Sequence, residues 1–219
     1  MQTQTIKVAM ADDHILLRTA LSSLINATEK CKVIFEASNG KELISKIHKD
    51  SMPDVVILDL NMPEMNGQDT AQYLQEHFPA VNVLMLTMYD SELALIRLLK
   101  AGVKGFMKKD IHPTELIYAI ESVHESGYYY SAQTSSKLAG LFRNSEDKSK
   151  SFDKIMLSEL EIQFMQLVCT ELTYKEIASE LKMNPRAIDG MRDNLFTRLD
   201  IKSRVGLAMY AIKNGIVAI

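Results

Sequence analysis

Val55-Val56-Ile57-Leu58 is an unbroken apolar run that stops on a carboxylate, Asp59. Such a run has no polar face, so it must be covered on both sides, and a segment this short reads as an inner strand of a parallel sheet. Val81-Asn82-Val83-Leu84-Met85-Leu86 is nearly continuous in the same way and stops on Thr87. Lys7-Val8-Ala9-Met10-Ala11, Val33-Ile34-Phe35 and Gly105-Phe106-Met107 complete a set of five strands. Amphipathic stretches lie between them. Leu17, Ala20, Leu21, Leu24 and Ile25 recur at helical spacing, as do Leu43, Ile44 and Ile47, then Leu93, Ile96 and Leu99, then Leu116, Ile117 and Ile120 behind Pro113. Strands alternating with helices predict an α/β domain with a doubly wound, five-stranded parallel sheet.

The alternation stops near residue 130. Ser131-Ala132-Gln133-Thr134-Ser135-Ser136 and the polar stretch 144–151 read as a linker, with Leu138, Leu141 and Phe142 spaced for a short docked helix. Beyond it no strand pattern remains, and four helices fit at about 158–170, 174–182, 185–199 and 203–214, a small all-α domain. The expected division is 1–127, a linker at 128–151, and 152–219. Charge follows it. Residues 1–130 hold 12 Lys and Arg against 17 Asp and Glu, a net of −5; residues 152–219 hold 9 of each. The acidic front half argues against binding a polyanion there. Cys31 and Cys169 are far apart with no CxxC pairing, no apolar run is long enough for a membrane span, and Met1-Gln2-Thr3-Gln4-Thr5 carries no signal-peptide pattern. A cytoplasmic protein without a membrane partner is the expectation.

In a doubly wound sheet, function collects where the strands end. Strand one ends in Asp12-Asp13, strand three in Asp59, strand four in Thr87 and strand five in Lys108-Lys109. A dinucleotide site wants glycines after strand one, whereas Asp12-Asp13-His14 repels a phosphate. Clustered carboxylates must share protons or hold a cation, and hard oxygen donors suit Mg2+. A carboxylate beside a metal can attack phosphorus to give an aspartyl phosphate, with a lysine holding another oxygen. Asp59, ending the most apolar run, is the candidate nucleophile. An aspartyl-phosphate hydrolase of the haloacid-dehalogenase type needs an acid two residues after the nucleophile, where this chain has Asn61.

These residues resemble the receiver domain of bacterial two-component response regulators. The resemblance rests on Asp12-Asp13, the stretch from Val55 through Asp59, Asn61 and Pro63 to Gly67, Leu86-Thr87, and Gly105-Phe106-Met107-Lys108-Lys109-Asp110. It implies a flavodoxin-like receiver in which Asp59 accepts a phosphoryl group from the phosphohistidine of a sensor histidine kinase. It further implies Mg2+ held by Asp13, Asp59 and the backbone carbonyl of Asn61, with Asp12 acting through a water. Lys109 is the lysine that pairs with the phosphoryl group, because it directly precedes Asp110; Thr87 hydrogen-bonds that group, and Phe106 stands where the switch aromatic is commonly Tyr. Tyr89 stands near the path of an attacking water and is expected to slow hydrolysis. His14 resembles a helix-start residue rather than a ligand. The resemblance implies a regulator that phosphorylates and dephosphorylates itself rather than an enzyme with a separate substrate.

Residues 173–199 read as a helix-turn-helix. Thr173 caps a helix holding Ile177, Ala178 and Leu181, Lys182-Met183-Asn184 make the turn, and Pro185 opens a second helix striped by Ile188, Met191, Leu195 and Leu199. A helical bundle used only for dimerisation carries the same stripes. Leu157-Ser158-Glu159-Leu160-Glu161, Leu172–Ala178, the 185–199 helix and Ile201–Val205 also resemble the LuxR-type DNA-binding domain, which with the receiver gives the NarL/FixJ-type layout. That resemblance implies duplex DNA as partner, a homodimer when phosphorylated, helix 185–199 in the major groove, and Lys175, Lys202 and Arg204 on phosphates. Arg186 and Arg192 are the best base or phosphate candidates. Asp189, Gly190, Met191 and Asp193 depart from the basic residues often found on that face, and Asp189 is expected to pair with Arg186 and Arg192 at helical spacing. A tail without net charge leaves a competing reading, a regulator whose helical domain binds protein rather than DNA.

Overall fold

Parallel pairing builds the first of two compact units, Met1–Asp90 with Leu95–Ser136. The computed structural model describes residues 5–88, 91–110, 112–143 and 157–217. Strands β1 (Ile6–Ala11), β2 (Cys31–Ala37), β3 (Val55–Asp59), β4 (Asn82–Thr87), β5 (Gly105–Lys108) and β6 (Tyr129–Tyr130) form one sheet in the order β2-β1-β3-β4-β5-β6. Every neighbouring pair is parallel. Around it run α1 (Ile15–Asn26), α2 (Gly40–Lys46), α3 (Gly67–His77), α4 (Glu92–Lys100) and α5 (Pro113–Ser126), followed by α6 (Ala132–Arg143).

The apolar runs are covered on both faces, as their composition requires. Val55, Ile57, Leu84 and Leu86 form one core with Ile25 of α1 and Leu116, Ile120 and Val123 of α5. Val56 and Leu58, which point to the opposite face, are equally buried. Each such side chain contributes roughly 1.5–3 kcal/mol relative to exposure. Asn39 and Asn66 cap α2 and α3 by accepting from the Glu42 and Asp69 amides.

Two elements differ from expectation. The sheet has six strands, not five. Gly127, in the left-handed region at φ 80°, ends α5 and turns Tyr129-Tyr130 back beside Gly105 and Phe106. Two residues are too few to show a period, so composition gave no sign of the strand. Helix α3 was also invisible, because its buried residues Gly67, Thr70, Ala71 and Leu74 include one large apolar side chain. Helix α6 occupies the first part of the segment expected to be a linker, and residues 144–151 of that segment lie outside the described ones.

The second unit takes Ser91–Ala94 and the chain from Lys137 onward, and beyond α6 its described part is helical: α7 (Glu159–Val168), α8 (Tyr174–Glu180), α9 (Pro185–Leu199) and α10 (Arg204–Lys213). Each lies within about two residues of its expected place, because the stop and start signals are chemical. Ser158 with Glu161, and Thr173 with Glu176, form reciprocal capping boxes. Asn184 accepts from the Arg186 amide ahead of Pro185. Phe164, Met165, Ile177, Ile188, Leu195, Leu207 and Ala211 fill the core. Both cysteines are free, and among the described residues no helix is long and apolar enough to cross a membrane.

One ion pair ties this unit together across 37 positions. Arg198 donates to Glu161 Oε1 at 2.7 Å, both largely buried. Burial pushes the Glu161 carboxyl up, but Arg198 and the Ser158 amide and hydroxyl outweigh it and hold it below the usual glutamate range. A lowered folded-state pKa stabilises above the unfolded value, and that contribution is lost as pH falls through the folded one. The second unit is therefore expected to lose stability progressively below about pH 4.5, with Glu161→Gln flattening that slope in urea unfolding across pH; an unchanged slope would refute the assignment.

Candidate functional site

The sheet order makes β1 and β3 neighbours, and pairing Ala11 with Leu58 brings the next residues, Asp12 and Asp59, side by side. Both are buried, at 1% and 5% exposure. The Lys109 ammonium reaches over from the end of β5 to sit 3.0 Å from Asp12 Oδ2 and 2.9 Å from Asp59 Oδ2. Thr87, ending β4, is buried, and its carbonyl accepts from the Lys109 amide at 3.2 Å. Asp13 is exposed at the rim. Lys108, at the end of β5, is partly exposed.

The electrostatics follow from having more anion than cation. Burial pushes the Asp59 carboxyl up, against the pull of Lys109 and the Asn61 amide that donates to it, and the neighbouring Asp12 charge pushes the same way. Burial pulls Lys109 down, yet Asp59 and Asp12 together hold its ammonium above the ordinary lysine range. Burial first, and the Asp12 charge second, make Asp59 reluctant to ionise while Lys109 stays charged, and a further cation would favour the ionised carboxylates. The donor set fits such a cation. Asp12 Oδ2 is buried with the Lys109 ammonium 3.0 Å away as its partner, an oxygen that a cation could share. One ligand atom each from Asp12, Asp13, His14 and Asp59 lie within 4.8 Å of one another. Carboxylate oxygens suit magnesium. His14 sits nearer this cluster than a helix-start role requires, with Nδ1 3.2 Å from Asp12 Oδ1 and 2.9 Å from Asp13 Oδ1.

Two positioning residues had escaped the sequence. Arg18 of α1 donates through Nη1 to the Asp12 carbonyl and through Nε to Glu36 Oε2 at 3.2 Å, fixing the turn that carries Asp12-Asp13. Its signal was a lone cation among the apolar residues of α1. Gly67 opens α3 against the end of β3, its amide donating to the Leu60 carbonyl at 2.9 Å. A Cβ there would stand 2.1 Å from the Asp59 carbonyl oxygen, so only glycine allows the approach. Gly67→Ala is expected to displace the Asp59 backbone and to cost about 1–3 kcal/mol of receiver stability, measured by urea unfolding; no loss would show that the loop yields freely.

Phe106 is 3% exposed and stacks on Tyr130, centroids 5.7 Å apart at 25° between planes, and Tyr130 stacks in turn on the exposed Tyr128. Tyr89 lies outside the described residues.

In the second unit, Lys175, Arg186 and Lys202 are exposed. Arg192 is met from both sides, by Asp189 Oδ1 at 2.9 Å and Asp193 Oδ1 at 2.9 Å, and its guanidinium lies 5.1 Å over the Tyr174 ring. Pairing at helical spacing thus joins Asp189 to Arg192. Arg204, expected on phosphates, directs two donors inside the domain, Nε to the Val168 carbonyl at 3.0 Å and Nη2 to the Thr170 carbonyl at 2.7 Å. Val168 is the last residue of α7 and Thr170 follows its C-cap, so the guanidinium sits at the helix C-terminus, where a cation is favourable. Tyr174, the ring beneath both guanidiniums, had drawn no attention in the sequence because it reads as ordinary helix core.

Comparison with known proteins agrees with both halves. The response regulator receiver domain family matches residues 8–121, and the family of bacterial regulatory proteins of the luxR type matches residues 156–211. The oxygen regulatory protein NreC of Staphylococcus haemolyticus is 32% identical over 212 residues, covering 95% of this chain and 97% of its own. NreC of Staphylococcus carnosus is 31% identical with the same coverage. Among solved structures, RcsB of Salmonella enterica serovar Typhimurium bound to the rprA promoter aligns with a TM-score of 0.68 at 22% identity, over 94% of this chain and 98% of that one. The response regulator ChrA of a heme-sensing two-component system aligns with a TM-score of 0.53 at 23% identity, over 97% and 99%. At that identity the solved structures show the fold alone. By its two family matches and its full-length relatives, the chain belongs to the two-component response regulators that join a receiver to a LuxR-type DNA-binding domain.

Proposed function

We propose that Asp59 accepts a phosphoryl group from the phosphohistidine of a sensor histidine kinase, and that this acyl phosphate switches dimerisation and DNA binding by the second unit. The observation that carries the reading is the Lys109 ammonium held between two buried carboxylates, 3.0 Å from Asp12 and 2.9 Å from Asp59. Asp59 Oδ attacks phosphorus, the P–N bond breaks, and the electron pair leaves on the histidine nitrogen, which takes up a proton. Lys109 follows the charge from the carboxylate onto the transferred oxygens, and Thr87 donates its hydroxyl to one of them. Asp13, Asp59 and the Asn61 carbonyl would hold Mg2+, with Asp12 acting through a water; Mg2+ supplies charge neutralisation on the phosphoryl oxygens. The same site lets water hydrolyse the acyl phosphate, so the receiver also dephosphorylates itself.

The functional limits we assign are 1–127 for the receiver, 128–151 for the connecting segment and 152–219 for the DNA-binding domain, in a cytoplasmic protein. Exposed Lys175 and Lys202 position that domain on phosphates, exposed Arg186 is available to bases or phosphates, and Arg192 and Arg204 add positive charge around Tyr174. A homodimer suits paired half-sites about one helical turn apart. Phosphorylation can shift the equilibrium only through its differential interaction with two receiver states, and the buried Phe106 ring stacked on Tyr130 is a contact that such states would share unequally. The test is selection of duplexes from a random library, with and without an acyl-phosphate donor and Mg2+. Palindromic sites enriched only after treatment, with enrichment abolished by chelation, are expected. Enrichment that ignores donor and metal would remove phosphorylation from the account.

A further inference from the structure

Gly190 sits in the middle of α9, and no contact among the described residues requires it. A Cβ built there meets no atom within 4 Å, and its backbone is outside the left-handed region. Glycine is the weakest helix former short of proline, because it leaves the most backbone freedom to be lost. An exposed helix interior that carries one without a packing reason gives up stability for something outside the fold. Position matters here. Ile188 and Leu195 are the buried residues of α9, and Gly190 lies on the side away from them. Arg186 and Asn194, one turn before and one turn after, lie along the same exposed strip.

The charges beside Gly190 support a ligand at this strip. Asp189 and Asp193 flank it, and both are paired to Arg192 at 2.9 Å, so their repulsion of an approaching polyanion is blunted within the helix. Arg192 in turn rests over Tyr174 and is turned toward α8 rather than out along the strip. Along the strip itself a guanidinium, a bare backbone, a carboxamide and the Thr197 hydroxyl face outward, with the exposed Asp189 and Asp193 to one side, both tied to Arg192.

We infer that Gly190 is the point at which α9 comes closest to the floor of the DNA groove, its missing side chain setting the depth to which Arg186 and Asn194 can reach base edges. The inference rests on the DNA-binding reading of this domain. Arginine suits the guanine edge and asparagine the adenine edge, and neither reaches them if the helix axis is held back by a side chain between them. Thus Gly190 acts on specificity rather than on overall attraction, which comes from phosphate contacts elsewhere.

The signature is a pair of effects with opposite signs. In the full-length protein, Gly190→Ala is expected to raise the thermal midpoint of the second unit, since alanine is the better helix former. The same substitution is expected to weaken binding to a duplex selected by the wild type by about tenfold or more, while affinity for an unselected duplex of equal length stays within about twofold. Gly190→Leu, also a good helix former, should weaken selected-duplex binding further without lowering stability. A Gly190→Ala protein that gains stability and binds the selected duplex as tightly as the wild type would overturn the inference, as would an equal loss on both duplexes. Wild-type protein that enriches no duplex at all would instead strike the DNA-binding reading beneath it.

Discussion

Asp59→Asn is expected to reduce phosphoryl incorporation to background while leaving the receiver folded. The carboxamide keeps the shape of the side chain and an oxygen for Lys109, 2.9 Å away, but has no anionic oxygen to attack phosphorus. Its effect on stability is expected to be small for a reason specific to this pocket. Orphaning a buried charge costs about 3–5 kcal/mol, but Lys109 retains Asp12 at 3.0 Å. Burial already pushes Asp59 toward its neutral form, so the substitution also relieves an unfavourable charge. Unfolding free energy should therefore stay within about 1 kcal/mol of the wild type, against a complete loss of the acyl phosphate. Intact mass after incubation with an acyl-phosphate donor and Mg2+ reads the first quantity, and urea unfolding the second. If Asp59→Asn protein still gained a phosphoryl group, another side chain would be the acceptor; if it failed to fold, Asp59 would be holding the sheet edge together rather than serving chemistry.

Much of that pocket was readable from residue order, because a parallel sheet turns sequence position into spatial position. Asp12, Asp59, Thr87 and Lys109 each follow an apolar run, and aligned strand ends bring such residues to one edge whatever their separation along the chain. The helical unit was legible for another reason: Ser158, Thr173 and Asn184 are start signals whose hydrogen bonds are local, and Pro185 suits a first helical turn that needs no N–H donor. What stayed hidden depends on contacts across the fold. Arg18 fixes the Asp12 carbonyl from one turn into α1, and nothing in its neighbours says where its guanidinium goes. Gly67 reads as a loop residue until the Asp59 carbonyl is seen where its side chain would be. Helix α3 lacks a readable apolar stripe because three of its four buried residues, Gly67, Thr70 and Ala71, are small or polar. The resemblance implies a phosphate contact for Arg204, and only the fold shows that its guanidinium also meets the Val168 and Thr170 carbonyls.

Phe164→Ala is expected to unfold the second unit at temperatures where the wild type is folded, and to abolish duplex binding with it. Phe164 is fully buried in a core shared by all four helices, against Ile177, Ile188, Leu195 and Leu207. Deleting a buried phenyl ring costs about 3–5 kcal/mol, from lost transfer free energy and from the cavity left behind. A unit of about 60 residues buries only about 60% of the surface its unfolded chain exposes, so its whole stability is of that same size. The loss also reaches the cations proposed to meet DNA, since Phe164 stacks on Tyr174 at 6.2 Å, and Tyr174 carries the guanidiniums of Arg192 and Arg204. Phosphoryl incorporation at Asp59 should remain within about twofold of the wild type, because the receiver core contains none of these residues. Circular dichroism with temperature, duplex retention and intact mass on one preparation separate the three quantities. A Phe164→Ala protein that keeps its helical transition would show that Met165 and its neighbours close the cavity, and one that loses phosphorylation as well would show that the two units do not fold independently.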